Sequence, residues 1–513
     1  MVQPHNTHTD VKPRFLAMPI LNTVNKHTKQ LLSRCLSISC VATFCVATSA
    51  LFSPSVLAEY DLPDLGDTSS INVSPRQEQI LGQQWMRAYR AQVATSSDPI
   101  IIDYLESLFD RLLPYSQLPR KHVDLLVADN NSLNAFAVPG GIIGIHTGLF
   151  NHAKTENQLA AVITHEMAHL SQRHYARSIE LQKNMLIPTL AGLLAGLVLA
   201  ANSNGDAGMA AIMTTQAAAL QSRLSFSRQN EQEADRIGLQ TMIDAGIDPH
   251  AAGDMFEEMM RASRFYRRPP EYLLTHPISE RRVADARNRA SRAPRIEQPD
   301  NPDYQIVRTR VRVNAQETPQ QAIKLFKDEV EKGSENLYAS RYGLALSYMN
   351  AGEFAQARDT INALIQTDPE RISYLILQAE IESHAERHRQ SLSHFESLLK
   401  THPESYPVKI RYAEALMRAG SYTPCVELLN RLARTRPNDD YVWYLLAEVN
   451  GLAGDILGVH QSRAEYFILN GVYDRAATQL RLGLQKARGN AYLTALMEER
   501  LKYCEEQMSR RDF

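Results

Sequence analysis

The chain has almost no net charge: 55 Lys and Arg stand against 57 Asp and Glu in 513 residues. No basic stripe is present, and loss of the first 58 residues would remove more basic than acidic charge. Both absences argue against a nucleic-acid partner. Cysteine is scarce, at five residues, and Cys35, Cys40 and Cys45 crowd into one apolar N-terminal stretch. Only Cys425 and Cys504 remain, too few for a cysteine ligand set. They can pair in an oxidising compartment if they lie close together. Long apolar runs are also missing. Residues 186–201 (LIPTLAGLLAGLVLAA) carry no charge but fall short of the roughly 20 residues that span a bilayer. A second small-residue-rich segment follows over 207–220. The pair reads as buried core helices, or as a hairpin or lid over a cleft between His169 and Glu231. Peripheral membrane contact is a further reading.

What is present begins with His165-Glu166-Met167-Ala168-His169, after the apolar run Ala160-Ala161-Val162-Ile163-Thr164. A helix puts residues four apart on one face, so both imidazoles can reach one metal ion. Glu166 is placed to act as general base on a metal-activated water. The pentapeptide fixes only three residues, and a surface helix with two histidines reads the same way. Catalytic zinc needs a third protein ligand. Glu231 and Asp235, in Asn230-Glu231-Gln232-Glu233-Ala234-Asp235, share a helix face. Glu231 would bind the metal, and Asp235 would accept a hydrogen bond from the outer nitrogen of a ligand imidazole. A solvated acidic helix start is the alternative. Glu233 points to another face and reads as solvated.

Three further segments bear on the site. Pro139-Gly140-Gly141 is a turn signal between 134–138 and the β-branched strand 142–147, which predicts a hairpin. His276 precedes Pro277 and so belongs in an extended or turn segment. Arg282 follows it; a surface ion pair is one reading.

The first 58 residues read as a cleaved export signal. Lys26, Lys29 and Arg34 precede the mostly apolar stretch 35–51, and Ser55-Val56-Leu57-Ala58 supplies the cleavage site. The mature chain would begin near Glu59. The polar residues before Met18 make Met18 an alternative start.

The second half is periodic. Pro369, Pro403 and Pro437 recur every 34 residues, the tetratricopeptide period. Ala345, Ala379, Ala413 and Ala447 share one small position, and Gly352, Gly420 and Gly454 fall at one turn. Residues 318–332 read as part of an earlier, degenerate repeat, and 464–484 as a further unit with shifted phase. His384, His388, His394 and His402 read as surface residues. Such an array exposes a groove suited to peptides or proteins. The polar, Pro-rich segment 292–302 joins the halves.

These elements together resemble a known family. His-Glu-x-x-His, Glu-x-x-x-Asp, the segment 134–141 and His276-Pro277 with Arg282 come in the order of the zinc metallopeptidases that include the CAAX prenyl protease and HtpX. The resemblance implies one Zn2+ per chain held by His165, His169 and Glu231, with Glu166 as base and Asp235 supporting a ligand. It also implies an edge strand at Asn134, Ala135, Phe136 and Ala137 that binds substrate main chain. Arg282 would steady substrate or transition-state charge. His276 would be a fourth ligand that displaces water at rest.

With the export signal and repeats added, the chain is similar to the β-barrel assembly-enhancing proteases of Gram-negative bacteria. That implies a periplasmic peptidase and chaperone-like factor that promotes assembly of outer-membrane barrels and degrades misassembled ones. The implied partners are the barrel assembly machinery and stalled barrels, including the lipopolysaccharide transport barrel. The competing reading is a repeat-domain chaperone or scaffold with a silent or structural metal site. A membrane-embedded peptidase is a third. The expected fold is mainly α: an α+β zincin-type domain over 59–295, then an α-helical repeat solenoid over 296–513.

Overall fold

The computed structural model describes residues 74–185, 189, 206–264, 270–296, 301–487 and 489–509. The segment 1–58, read as an export signal, lies outside the described residues, as does the apolar stretch 186–201 apart from residue 189. Among the described residues no helix is long and apolar enough to cross a membrane.

The first half opens with two helices whose starts are written in the sequence. Ser74 and Gln77 form a capping box ahead of α1 (Pro75–Arg90), with Pro at the first helical position. Asp98 accepts from the Ile100 N–H and caps α2 (Pro99–Leu112). A three-stranded sheet follows: β1 (Asp124–Ala128), β2 (Ala135–Val138) and β3 (Ile142–His146), in the order β1-β3-β2. The predicted hairpin is present, with β2 antiparallel to β3, while β1 runs parallel to β3. Among the described residues β2 pairs only with β3, so it is an edge strand. Its Phe136 lies across Gly144, where an added Cβ would meet the ring at 2.1 Å. Trp85 and Tyr89 of α1 pack on that ring, so α1 covers this face of the sheet.

After α3 (Leu149–His152) come α4 (Glu156–Ser171), α5 (residues 174–185), α6 (Asp206–Asp244), α7 (His250–Ser263), α8 (Glu271–Thr275) and α9 (Glu280–Ala290). The small-residue segment 207–220 is not a separate buried helix. It extends the helix that carries Glu231, and Met213 and Leu220 are exposed.

The second half stacks helix pairs: α10 (Pro302–Asn314) and α11 (Pro319–Lys332), α12 (Leu337–Asn350) and α13 (Phe354–Thr367), α14 (Ile372–His384) and α15 (His388–Thr401). Then follow α16 (Tyr406–Arg418) and α17 (Tyr422–Thr435), α18 (Asp440–Ala453) and α19 (Ile456–Leu469), and α20 (Tyr473–Lys486) with α21 (Ala491–Ser509). The expected phase shift near the end is corrected. Residues 464–484 straddle the break between α19 and α20, and the pairs keep nearly their earlier spacing. Cys425 on α17 and Cys504 on α21 are free and buried in separate apolar clusters, so they form no disulfide. Burial pushes their thiols up to about 12 and about 11. His384, His388 and His394 are half-buried rather than surface residues, and His402 is exposed.

The halves share one apolar core. Ile101, Leu105 and Leu108 of α2 join Tyr304 and Val307 of α10 and Val408 of α16 in a single cluster. Around it, the Tyr304 hydroxyl donates to the Ala153 carbonyl at 2.5 Å, and the Gln305 amide donates to the Lys154 carbonyl at 2.7 Å. Arg436 of the repeats reaches Glu106 of α2. Arg87 of α1 donates to the Tyr503 hydroxyl on α21 at 2.7 Å.

Candidate metal centre

Helix α4 is buried along its whole length from Leu159 to Ala168. A helix apolar on nearly every face belongs in a core, and His165 and Glu166 are carried inside with it. Thr155 and Gln158 fix its start by a capping box. Helix α6 crosses close by, because Ala234 and Gly238 are small. A Cβ on Gly238 would lie 3.0 Å from the His165 nitrogen. This approach brings the carboxylates of α6 to the imidazoles of α4.

The three side chains that the sequence grouped do converge, and His276 joins them. One ligand atom from each of His165, His169, Glu231 and His276 lies within 4.8 Å of every other. Nε2 of His165 is 3.0 Å from Nε2 of His169, and each is 3.5 Å from a Glu231 oxygen. Nδ1 of His276 is 3.4 Å from Nε2 of His165, and 3.1 and 3.2 Å from the two Glu231 oxygens. Ligands at 2.0–2.1 Å from a tetrahedral metal are roughly 3.3 Å apart, so the donor set fits one such cation.

The outer nitrogens support this polarity. Asp235 Oδ1 lies 3.0 Å from His165 Nδ1. With a cation held at Nε2, the one remaining ring proton would sit on Nδ1, facing Asp235. Burial opposes protonation of His165, but hydrogen bonds and charge from Asp235 and Glu231 prevail and push it up to about 9. Burial, together with the neighbouring His165 and His276, holds His169 well below the ordinary imidazole range. Burial also opposes ionisation of Glu231 and Asp235. The hydrogen bonds of His165, with His276 for Glu231 and Arg282 for Asp235, outweigh it and hold both carboxyls low. Both oxygens of Glu166 are buried with no hydrogen-bond partner among the described residues. The nearest cationic candidate, His276 Nε2, is 3.6 Å away.

Arg282 corrects an expectation. Its Nε and Nη2 each lie 2.7 Å from Asp235, and Nη1 lies 2.8 Å from the Pro277 carbonyl and 3.0 Å from Glu231. A buried fork committed in this way is not free to meet a substrate. Glu233 is also not a solvated bystander, since its Oε2 accepts from Arg177 at 2.8 Å and from His174 at 3.2 Å. Two residues near the site were not visible in the sequence. Tyr272 packs against His276 with ring centres 4.6 Å apart and planes tilted by 32°. His174 lies 2.8 Å from His169 through their Nδ1 atoms. The five-residue spacing of His169 and His174 breaks helical periodicity, so no pattern could have flagged it. Asn134 stands at the start of β2 and donates to Glu271 of α8 at 3.1 Å.

Residues 102–290 match peptidase family M48, and residues 314–381 and 384–449 match the tetratricopeptide repeat. The β-barrel assembly-enhancing protease of Escherichia coli (strain K12) is 33% identical over 454 residues, covering 86% of this chain and 92% of that protein. The putative β-barrel assembly-enhancing protease of Vibrio cholerae serotype O1 is 32% identical over 481 residues, covering 92% of this chain and 98% of that protein. Mitochondrial metalloendopeptidase OMA1 of Arabidopsis thaliana is 32% identical over 212 residues, covering 40% of this chain and 36% of that protein. Fold and site thus define a metallopeptidase, dependent on a divalent metal, joined to a tetratricopeptide array. The chain belongs to the β-barrel assembly-enhancing proteases of peptidase family M48.

Proposed function

We propose that this protein is a periplasmic zinc endopeptidase and chaperone-like factor for outer-membrane β-barrels, with a catalytic domain over 59–295 and a repeat domain over 296–513. One observation carries the chemistry: His165, His169 and Glu231 converge beside a buried Glu166 whose carboxylate has no hydrogen-bond partner among the described residues. In this reading those three side chains hold the zinc, and Asp235 fixes the tautomer of His165. Imidazole and carboxylate donors suit zinc. Bound there, zinc supplies the Lewis acidity that activates a water and polarises the scissile carbonyl. Glu166, with no hydrogen bond among the described residues to hold it, takes the water proton and returns it to the leaving amine. His276 reaches Glu231 and stands between that carboxylate and Glu166, so it fills the water's place at rest and must move away for turnover. Asn134, Ala135, Phe136 and Ala137 offer an edge to which an extended peptide adds by main-chain hydrogen bonds, without side-chain specificity.

The barrel substrates rest on the names of the relatives. Those names point to outer-membrane barrel proteins as clients; the barrel assembly machinery and stalled barrels, including the lipopolysaccharide transport barrel, as partners, and degradation of those that misassemble, are the further reach of this proposal. The predicted export signal supports the periplasm.

The test is Glu166→Gln in the full chain, scored for cleavage of an unfolded barrel protein and for barrel assembly in cells. Cleavage should fall at least a hundredfold while zinc stays bound. Assembly support that survives the change means that the chaperone role is separate. Cleavage at the wild-type rate rejects Glu166 as the base.

A further inference from the structure

The two imidazoles of α4 are supported differently. His165 faces a carboxylate directly: Oδ1 of Asp235 lies 3.0 Å from its outer nitrogen, and Asp235 is itself gripped by Arg282. Among the described residues, no carboxylate meets the outer nitrogen of His169. There it meets His174, whose far nitrogen lies 3.2 Å from Glu233, and Glu233 is gripped by Arg177.

The direction of this chain follows from its inner end. For His169 to turn an Nε2 lone pair inward, its proton must sit on Nδ1. Among the described residues the acceptor at this atom is Nδ1 of His174, 2.8 Å away, so that nitrogen must be bare. The proton of His174 is then on Nε2, where Glu233 accepts it. One arrangement satisfies every link, and it runs from a carboxylate through two imidazoles to the metal pocket.

The backbone shows that the fold is built to produce this contact. Helix α4 stops at Ser171, and Arg173 adopts a left-handed conformation with φ 50°, one of only two non-glycine residues with positive φ among those described. Such a conformation costs of order 1–3 kcal/mol for a non-glycine residue and persists where its surroundings enforce it. The break turns the chain so that His174 opens α5 and folds back onto His169. Arg173 itself reaches Glu78 of α1 at 3.3 Å, which ties the turn to the opening helix. His174 is buried, at 5% exposure. An ordinary continuation of α4 would have carried residue 174 to another face.

We infer that His174 is a positioning residue for the metal site: it holds His169 in the tautomer and orientation that bind the cation, and it relays the charge of Glu233. The inference rests on the metal reading given above. It assigns a role to a residue outside both the His-Glu-x-x-His motif and the Glu-x-x-x-Asp motif.

The experiment measures zinc affinity of the full chain by chelator competition, with the visible spectrum of the cobalt-substituted protein as a second readout. His174→Phe keeps the ring volume and removes the acceptor. Zinc affinity should fall between tenfold and a hundredfold, and the cobalt spectrum should change, while the melting temperature of the metal-free protein stays within a few degrees. His174→Asn places an amide oxygen where Nδ1 stood and should restore affinity to within a few-fold of wild type. A residue that merely fills space would show the opposite order, with Phe tolerated and Asn not. Glu233→Gln, which leaves the packing intact, should weaken zinc several-fold and covers the case in which His174→Phe does not fold. Wild-type zinc affinity in both His174→Phe and Glu233→Gln overturns the role of His174. A wild-type chain that binds no zinc overturns the metal reading as well.

Discussion

Arg310, on the first helix of the repeat half, places Nε 2.7 Å from Oδ2 of Asp98, the residue that caps α2 in the catalytic half. Arg411 of α16 approaches the other oxygen at 3.4 Å. The carboxylate is buried between them. Burial disfavours its charge, but the two guanidinium groups prevail and hold it below the usual range. Its contribution to stability is therefore present above about pH 4 and is lost as pH falls through the depressed value. Asp98→Ala leaves Arg310 buried and unpaired and removes a helix cap. The expected loss is about 3–5 kcal/mol. Urea unfolding should show one transition in the wild type and two in the variant, as the halves come apart. A single transition at the wild-type midpoint would show that Asp98 does not hold them together.

Arg282 holds two carboxylates and a carbonyl with one planar fork, a task that an ammonium group cannot copy. Arg282→Lys should keep the fold but loosen Asp235 and Glu231, weakening zinc about 10–100-fold and lowering kcat/KM to match. Excess zinc should recover part of the activity. Activity restored fully by zinc alone, with wild-type geometry of the site, would confine Arg282 to metal retention. Unchanged affinity would show that the fork is dispensable.

His276 contacts Glu231 and packs at a tilt against Tyr272, and two hydrogen bonds tie its segment to residues 133 and 134 just ahead of the edge strand. These are the Asn134–Glu271 bond and a 3.4 Å contact from the Tyr272 nitrogen to the Leu133 carbonyl. His276→Ala should keep zinc and raise cleavage of an unfolded model substrate several-fold, because the place taken by the imidazole opens to water. Coordination and activity both equal to wild type would remove His276 from any resting-state role.

Asp103 on α2 is disfavoured as an anion. Burial and the nearby Glu106 raise its carboxyl to about 6, against a smaller opposing effect of Arg436. The folded chain therefore holds that proton more tightly than the unfolded one. Stability falls as pH rises from about 3.8 to 6 and is level above that. Asp103→Asn removes the fall. At pH 7 the variant should be more stable by about 1–2 kcal/mol, allowing for solvent screening, and at pH 4 it should match the wild type. Urea midpoints at the two pH values check this, and equal midpoints at pH 7 would contradict it.

Much of the site was legible because its parts obey helical spacing. His165 with His169 and Glu231 with Asp235 are each four residues apart, and regular helices made each pair share a face. The repeat array was legible for the same reason, since one period of 34 residues recurs in its prolines and alanines. The sequence determined local geometry, charge type and family in this way. Tertiary structure alone decided what stands between elements. His174 reaches His169 only because Arg173 breaks the helix, and Arg282 turns inward only because α9 packs its guanidinium against α6. Cys425 and Cys504 stay apart because they fold into different clusters. Spacing along a chain specifies neighbours within a helix, whereas contacts between helices depend on how their faces pack, and no local pattern encodes that.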